Sequence, residues 1–260
     1  LIVTKLKLGV FFVGKSVEHE VSIITALQAI ENINTEKYDI VPIYITKDNR
    51  LYCGNFVGDI KQYTNIDNLL KTSTQVTLAQ QDNKVVLLKT NKKFYESPVY
   101  DYIDIAFPIV HGTNVEDGTL QGYLKMFNLP YVGCDVTASA VGMDKYVSKT
   151  ILKENDIPVL DCKCFYKNEE TKDIIKEIEQ SIEYPVIVKP INLGSSIGIV
   201  VAKNEEELEE AIEDAFTYAR KILIEKAIKN LKEINCSVLG DYEETKASEC
   251  EELDKTSDIL

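Results

Sequence analysis

Leu6-Lys7-Leu8-Gly9-Val10-Phe11-Phe12-Val13, followed at once by Gly14-Lys15-Ser16, is the stretch that decides the fold. It reads as a nearly continuous apolar strand that breaks sharply into a small, polar turn. A helix follows, with Ile23, Ala26, Leu27 and Ile30 on one face at i, i+3, i+4 and i+7, and Tyr38 to Ile45 reads as the second strand. Strand, helix and strand at this spacing form a βαβ unit, so a parallel sheet is expected.

Outward from that unit the text is uneven. Residues 54–98 are polar and rich in Asn and Lys, with one strand expected at Lys84 to Leu88; they read as a peripheral insertion with a hairpin. Ile103 to Val110 is a strand running into His111-Gly112, Gly118 to Phe127 a helix, and Tyr131 to Gly133 a short strand. A loop then leads to Met143-Asp144-Lys145. From Lys145 a helix runs to about Asn155, where Asp156-Ile157-Pro158 stops it, and a first domain boundary falls near here. A second α/β unit follows: strand Val159 to Phe165, helix Glu169 to Glu179, strand Val186 to Pro190, and a partner strand Ile197 to Ala202. Asn204 caps a helix whose first turns hold Glu205, Glu206, Glu207, Glu209 and Glu210, acids that suit the positive end of a helix dipole and read as a solvated face. Lys221 to Glu225 and Ile234 to Leu239 are further strands; after Gly240 the chain turns acidic and loses periodicity.

Composition narrows the function classes. With 260 residues, 45% hydrophobic and 27% charged, the chain can bury a core without disulfides, which excludes disordered and disulfide-stapled classes. A net charge of −13 repels phosphate backbones and anionic membrane at long range, so nucleic-acid and membrane partners are not expected. A local cationic pocket for a small anion needs only a few lysines. The six cysteines are scattered, and the alternating run Asp161-Cys162-Lys163-Cys164-Phe165 lacks two further zinc ligands, since His19 and His111 are remote; reduced thiols in a cytoplasmic setting are expected. No apolar run reaches the roughly 18–20 residues a membrane span needs, and no cleavable leader is visible.

Several residues stand where ligands meet strand ends. Gly194-Ser195-Ser196-Ile197-Gly198 lies between two strands, and small residues there let backbone N–H groups approach an anion; a plain hairpin turn is the competing reading, weakened by Lys189 in the apolar strand upstream. Lys145 opens a helix and by itself reads as a surface lysine. Ile222-Leu223-Ile224-Glu225-Lys226 ends an apolar strand in two opposite charges, where Glu225 suits an amino group and Glu233 a sugar hydroxyl, or both are solvated carboxylates. Glu18, at the first strand-to-helix turn, is either a capping-box acid or a carboxylate that receives an ammonium group. His111 to Gly118 sets a histidine-glycine turn and two acids at another strand end.

Five strings occur in one order: Ser16-Val17-Glu18-His19-Glu20-Val21-Ser22, His111 to Gly122, Met143-Asp144-Lys145, Val188-Lys189-Pro190 with Gly194 to Gly198, and Ile224-Glu225-Lys226. Together they resemble the D-alanine–D-alanine ligase family of the ATP-grasp superfamily, from about Lys7 to Glu252. Two departures stand out: Val13-Gly14 where the family usually has two glycines, and Val115 where it often has one. The resemblance implies an N-terminal Rossmann-like, parallel-sheet α/β domain over 1–142. An incomplete ATP-grasp α+β domain over 143–260 is implied to follow.

It also implies ATP-dependent ligation of two D-alanines through an acyl phosphate, for peptidoglycan synthesis in the cytoplasm, with ATP, Mg2+ (or Mn2+) and a homodimeric parent. Glu18 and Ser195 are the implied catalytic residues, and with His111 they form the D-alanine pocket. Lys145, Lys189, Ser195, Ser196, Glu225, Lys226, Ile228 and Glu233 are the implied ATP-binding residues. No E-x-N-T-x-P-G-like string occurs, so the metal ligands are expected beyond Leu260 and the chain, which opens on Leu1, reads as a C-terminally truncated fragment without ligase activity of its own. Rival readings are a D-alanine–D-serine or D-alanine–D-lactate ligase, a non-catalytic nucleotide-binding remnant, and a two-domain solute-binding protein.

Overall fold

β1 (Leu6–Val13) is apolar and buried from Leu8 onward because both its faces are covered there. Leu8, Val10 and Phe12 pack with Ile23, Ala26 and Leu27 of α1 (His19–Asn32), whereas Phe11 enters a second cluster on the opposite face. The computed structural model describes residues 4–16, 18–194 and 196–253. The chain forms two compact units, Leu1–Asp156 with Asn192–Gly194, and Ile157–Ile191 with Ser195–Leu260.

In the first unit β1 lies parallel to β2 (Tyr38–Ile45), and the βαβ unit expected from the sequence is present. The sheet continues through β3 (Leu51–Cys53), past α2 (Ile66–Thr72), to β4 (Thr74–Gln81), β5 (Lys84–Lys89), β6 (Val99–Ile103) and β7 (Ile105–Ile109). Its seven strands run in the order β6-β5-β4-β3-β2-β1-β7. β1 pairs parallel with β2 on one side and with β7 on the other, whereas β3 to β6 join by antiparallel pairing.

The segment 54–98 is therefore no peripheral insertion. Val76, Leu78, Val85 and Leu87 alternate inward from β4 and β5 into the same cluster as Phe11 and Ile43. The hairpin between them turns on Asp82 and Asn83, both at positive φ (48° and 62°), the backbone of a two-residue turn. The strand expected over Ile103 to Val110 is β7, and Ile103 itself closes β6, because the chain turns at Asp104, whose carboxylate accepts from the Lys7 N–H at 2.7 Å. After α3 (Thr119–Met126), Tyr131 makes only an isolated bridge to Ala106. The presumed loop before Met143 contains α4 (Val136–Met143), hidden by its small and β-branched composition but capped by Asp135, which accepts from the Ala138 N–H at 2.7 Å. α5 (Lys145–Glu154) follows, with Asp144 as its cap.

The second unit is a four-stranded antiparallel sheet in the order β10-β9-β11-β8. Its elements are β8 (Cys162–Tyr166), α6 (Thr171–Ser181), β9 (Val186–Pro190), β10 (Val200–Ala202), α7 (Glu205–Tyr218) and β11 (Lys221–Lys226). Strand alternation decides its two faces. Phe165, Val186, Val188, Ala202, Ile222 and Ile224 pack against Ile174, Ile178, Leu208 and Ile212 of α6 and α7. Ile187, Lys189, Val201 and Glu225 must then point to the other face. β8 and β10 begin later than the sequence suggested, β10 because residues 196–198 form a turn. The strand expected over Ile234 to Leu239 breaks into β12 (Ile234–Asn235) and β13 (Val238–Gly240), and the acidic stretch after Gly240 supplies β14 (Thr245–Ala247) and β15 (Glu251–Glu252) as their partners. That pairing is carried by backbone hydrogen bonds between exposed side chains, so hydropathy gave no sign of it.

Leu87 tests whether 54–98 belongs to the core. It is fully buried, and Leu87→Ala should lower unfolding free energy by about 2–5 kcal/mol. Urea unfolding measures this; a loss below about 1 kcal/mol, in the range of surface substitutions, would mean the hairpin is peripheral after all.

Candidate functional site

The first unit gathers polar groups at the carboxyl end of β1. Val13 turns out of the strand at φ 79°, left-handed backbone that a glycine enters freely and a β-branched residue enters at a cost of order 1–3 kcal/mol. Gly14 continues at φ 107°, and its N–H donates to the Ile45 carbonyl at 2.9 Å. The turn delivers Glu18 to the N-cap of α1, yet its carboxylate makes no capping hydrogen bond, so the capping-box reading is not realised. That carboxylate instead faces two glycines: a Cβ on Gly112 would come within 3.0 Å of Glu18 Oε2, and one on Gly194 within 3.5 Å. Gly112, at φ 88°, could carry no side chain, since its Cβ would stand 2.2 Å from Ser16 Oγ.

His111 adjoins Glu18 through one hydroxyl. Ser22 Oγ donates to the Glu18 carbonyl at 3.2 Å and accepts from the His111 N–H at 3.1 Å. The His111 ring sits with Nε2 3.0 Å from Thr25 Oγ1 on α1. The following loop is held by its own acids, Gly112 N–H donating to Glu116 Oε2 at 2.6 Å and Asn114 N–H to Asp117 Oδ2 at 2.8 Å. Lys145, the first residue of α5, donates from Nζ to the Leu193 carbonyl. Ser195 lies outside the described residues.

His19 has its side-chain partner 25 residues away on β2, beyond any local sequence pattern. It is 1% exposed. Nδ1–H donates to the Gly14 carbonyl at 3.1 Å, which leaves Nε2 to accept from the Tyr44 hydroxyl at 3.0 Å. Burial pushes the His19 pKa below its usual 6.5 and that of Tyr44 up to about 12, so both are neutral at pH 7. This pair braces the turn that carries Glu18.

In the second unit, the sheet face opposite α6 and α7 floors a cavity of about 590 Å³. Lys189, Ser196, Glu225, Lys226, Ile228 and Glu233 line it, together with apolar Leu160, Ile187, Ile199 and Val201. Lys189 Nζ donates to Glu225 Oε1 at 2.7 Å, with the Glu225 side chain 4% exposed. Lys226 pairs with Glu183 at 3.1 Å. Glu233 lines the cavity, and its Oε2 is buried with no hydrogen-bond partner among the described groups. Asn230 and Leu231 also line the cavity, in a loop without periodicity that gave the sequence no signal. Apolar walls, an ammonium group and two carboxylates suit a ligand with a flat apolar part, hydroxyls and negative charge.

A smaller cavity of about 270 Å³ in the first unit, between Ile45, Asn114, Val115 and Tyr123, carries no charged side chain. Among the described residues no three His, Cys, Asp or Glu side chains come together to hold a metal ion, and no helix is long and apolar enough to cross a membrane.

Comparison with known proteins adds the following. A family model described as "D-ala D-ala ligase N-terminus" matches residues 7–134, and one described as "D-ala D-ala ligase C-terminus" matches residues 151–260. The D-alanine–D-alanine ligase of Thermosipho melanesiensis is 41% identical over 255 residues, 98% of this chain and 68% of its own length. That of Caldicellulosiruptor bescii is 44% identical over 245 residues, 92% of this chain and 65% of its own. The chain thus spans about two thirds of these relatives. Among solved structures, the D-alanine–D-alanine ligase of Coxiella burnetii superposes with a TM-score of 0.81 at 32% identity, over 96% of this chain and 71% of that one. The VanG D-Ala:D-Ser ligase of Enterococcus faecalis gives 0.83 at 32%, over 98% and 71%.

The His19 brace predicts a pH dependence. With its folded pKa depressed, the unfolded chain holds more proton between that value and 6.5. His19 thus contributes stability above pH 6.5 that is lost as pH falls toward the folded-state pKa, and no further below it. His19→Gln should flatten this part of the curve: the drop in urea midpoint between pH 7.5 and 5.5 should shrink relative to wild type. An unchanged drop would remove His19 from the account.

Proposed function

The chain belongs to the D-alanine–D-alanine ligase family, whose members are ATP-using ligases acting on D-alanine, and from that membership we propose that its two sites serve the joining of two D-alanines in peptidoglycan synthesis. The observation that carries the nucleotide half is the cavity on the β9–β11 face, where an ion-paired lysine, a buried carboxylate and the unpartnered Glu233 oxygen stand among apolar walls.

A carboxylate is a poor electrophile, and phosphorylation gives it a leaving group. The γ-phosphoryl group of ATP passes to the carboxylate oxygen of the first D-alanine. The amine of the second attacks the acyl carbon, and the dipeptide, phosphate and ADP result. Charge develops on phosphoryl and carbonyl oxygens, which lysine ammonium groups and backbone N–H donors stabilise. Glu18 receives the ammonium of the first D-alanine, with Ser195 orienting it and His111 lining the pocket. Lys145 and Lys189 pair with phosphates, and Ser195 and Ser196 cover them. Glu225 accepts from the adenine amino group beside the backbone of Lys226 to Ile228, and Glu233 accepts from the ribose.

Magnesium, with manganese as the alternative, is the ion proposed to accompany ATP. The described residues do not assemble a donor set for it, so no step here is routed through it. A cytoplasmic homodimer completes the proposal. Identity to a solved D-alanine–D-alanine ligase and to a solved D-Ala:D-Ser ligase is equal, 32%, so that comparison does not separate the proposal from its rival, a ligase that takes D-serine second.

Two measurements test this. The protein should release phosphate only with ATP, magnesium and D-alanine together; equal or greater release with D-serine or D-lactate as second substrate would give the reaction to the rival. Glu18→Gln should weaken D-alanine binding roughly ten- to hundredfold, the loss of one charge-assisted hydrogen bond, with ATP binding unchanged. Unaltered D-alanine affinity would return Glu18 to a helix-terminal acid.

A further inference from the structure

β12 and β15 pair antiparallel with Ile234 opposite Glu252 and Asn235 opposite Glu251. The residue just past the ladder on each side is a cysteine, and the same register carried one step further sets Cys236 opposite Cys250. The Leu253 N–H donates to the Glu233 carbonyl at 3.1 Å, and hydrogen-bonded and non-hydrogen-bonded pairs alternate from there. Cys236 and Cys250 therefore fall at a non-hydrogen-bonded position, where opposed Cα atoms lie roughly 4.5 Å apart and side chains approach most closely. That separation lies within the roughly 4.4–6.8 Å that a disulfide spans.

Beyond the two cysteines the register slips by one. The Ser248 N–H donates to the Ser237 carbonyl at 2.8 Å, and Val238 pairs with Ala247, so Glu249 is the extra residue of a bulge opposite Cys236. The Cys236 thiol lies over the partner strand, with Sγ 3.4 Å from the Ser248 carbonyl oxygen. Both thiols are free and exposed, open to small oxidants. Cys53, by contrast, is buried, and burial pushes its pKa far up.

We propose that Cys236 and Cys250 are a reversible dithiol–disulfide site that clamps the strand pair leading out of Glu233. With hydrogen peroxide as oxidant, one thiolate attacks a peroxide oxygen, giving a sulfenic acid and one water. The second thiol attacks the sulfenic sulfur, the S–S bond forms, and a second water leaves. Two thiols lose two electrons and two protons, and one peroxide is reduced to two waters. A small thiol such as glutathione reverses the bond by exchange. Closure pins β12 to β15 one strand-length from the carboxylate that lines the cavity. The chemistry stands without the nucleotide reading; only its bearing on ATP rests on that reading.

Tryptic peptides distinguish the outcomes, because cleavage after Lys232, Lys246 and Lys255 puts the two cysteines on separate fragments, 233–246 and 247–255. After treatment with hydrogen peroxide and alkylation, the titratable thiols should fall by two. Fragments 233–246 and 247–255 should migrate as one linked species that separates on reduction. Cys250→Ser and Cys236→Ser should each abolish it, and glutathione should restore both thiols in wild type. The proposal is overturned if all six thiols survive a peroxide dose that oxidises free dithiothreitol in the same tube. It is equally overturned if the two cysteines are recovered as separate sulfinic acids, or joined only to other peptides or to a second chain.

Discussion

A lysine on an interior strand must have a partner, and the second unit is arranged around the one that Lys189 has. β9 and β11 each send alternate residues into the helix-covered core, so whatever stands between those residues is forced to the opposite face. Lys189 and Glu225 both stand there, and their contact at 2.7 Å joins the two strands across the cavity floor. The Glu225 carboxylate is buried, so the pair is a structural element before any ligand arrives. A bound anion can then share the ammonium group without a further lysine being brought in from solvent.

The first unit solves a different problem with the same economy of parts. Its Glu18 carboxylate is held against glycine backbone on a turn whose conformation is costly for Val13. Two neutral side chains do that holding. Tyr44 donates to His19, and His19 donates to the Gly14 carbonyl, so the turn is tied to the sheet by groups that carry no charge toward Glu18.

Legibility in the sequence followed the range of the interactions. The βαβ opening was plain, since a strand covered on both faces and an amphipathic helix announce themselves within a few residues. Lys189 and Glu225 were visible as charges in apolar strands, although nothing local said that they touch. The β4–β5 hairpin reads as peripheral because its surroundings are polar, even though Asp82-Asn83 is the turn chemistry a hairpin uses. α4 escaped notice for want of periodicity, with only the cap Asp135 to mark it. The His19–Tyr44 contact and the Cys236–Cys250 register depend on strands meeting across 25 and 14 positions, which no window on the sequence spans.

Whether ATP occupies the β9–β11 face can be read directly by hydrogen–deuterium exchange of the chain with and without ATP. The account predicts saturable protection of backbone amides in β9, β11 and residues 226–233, with the Ile45–Tyr123 cavity of the first unit unaffected. No saturable protection, or protection confined to that other cavity, would contradict it.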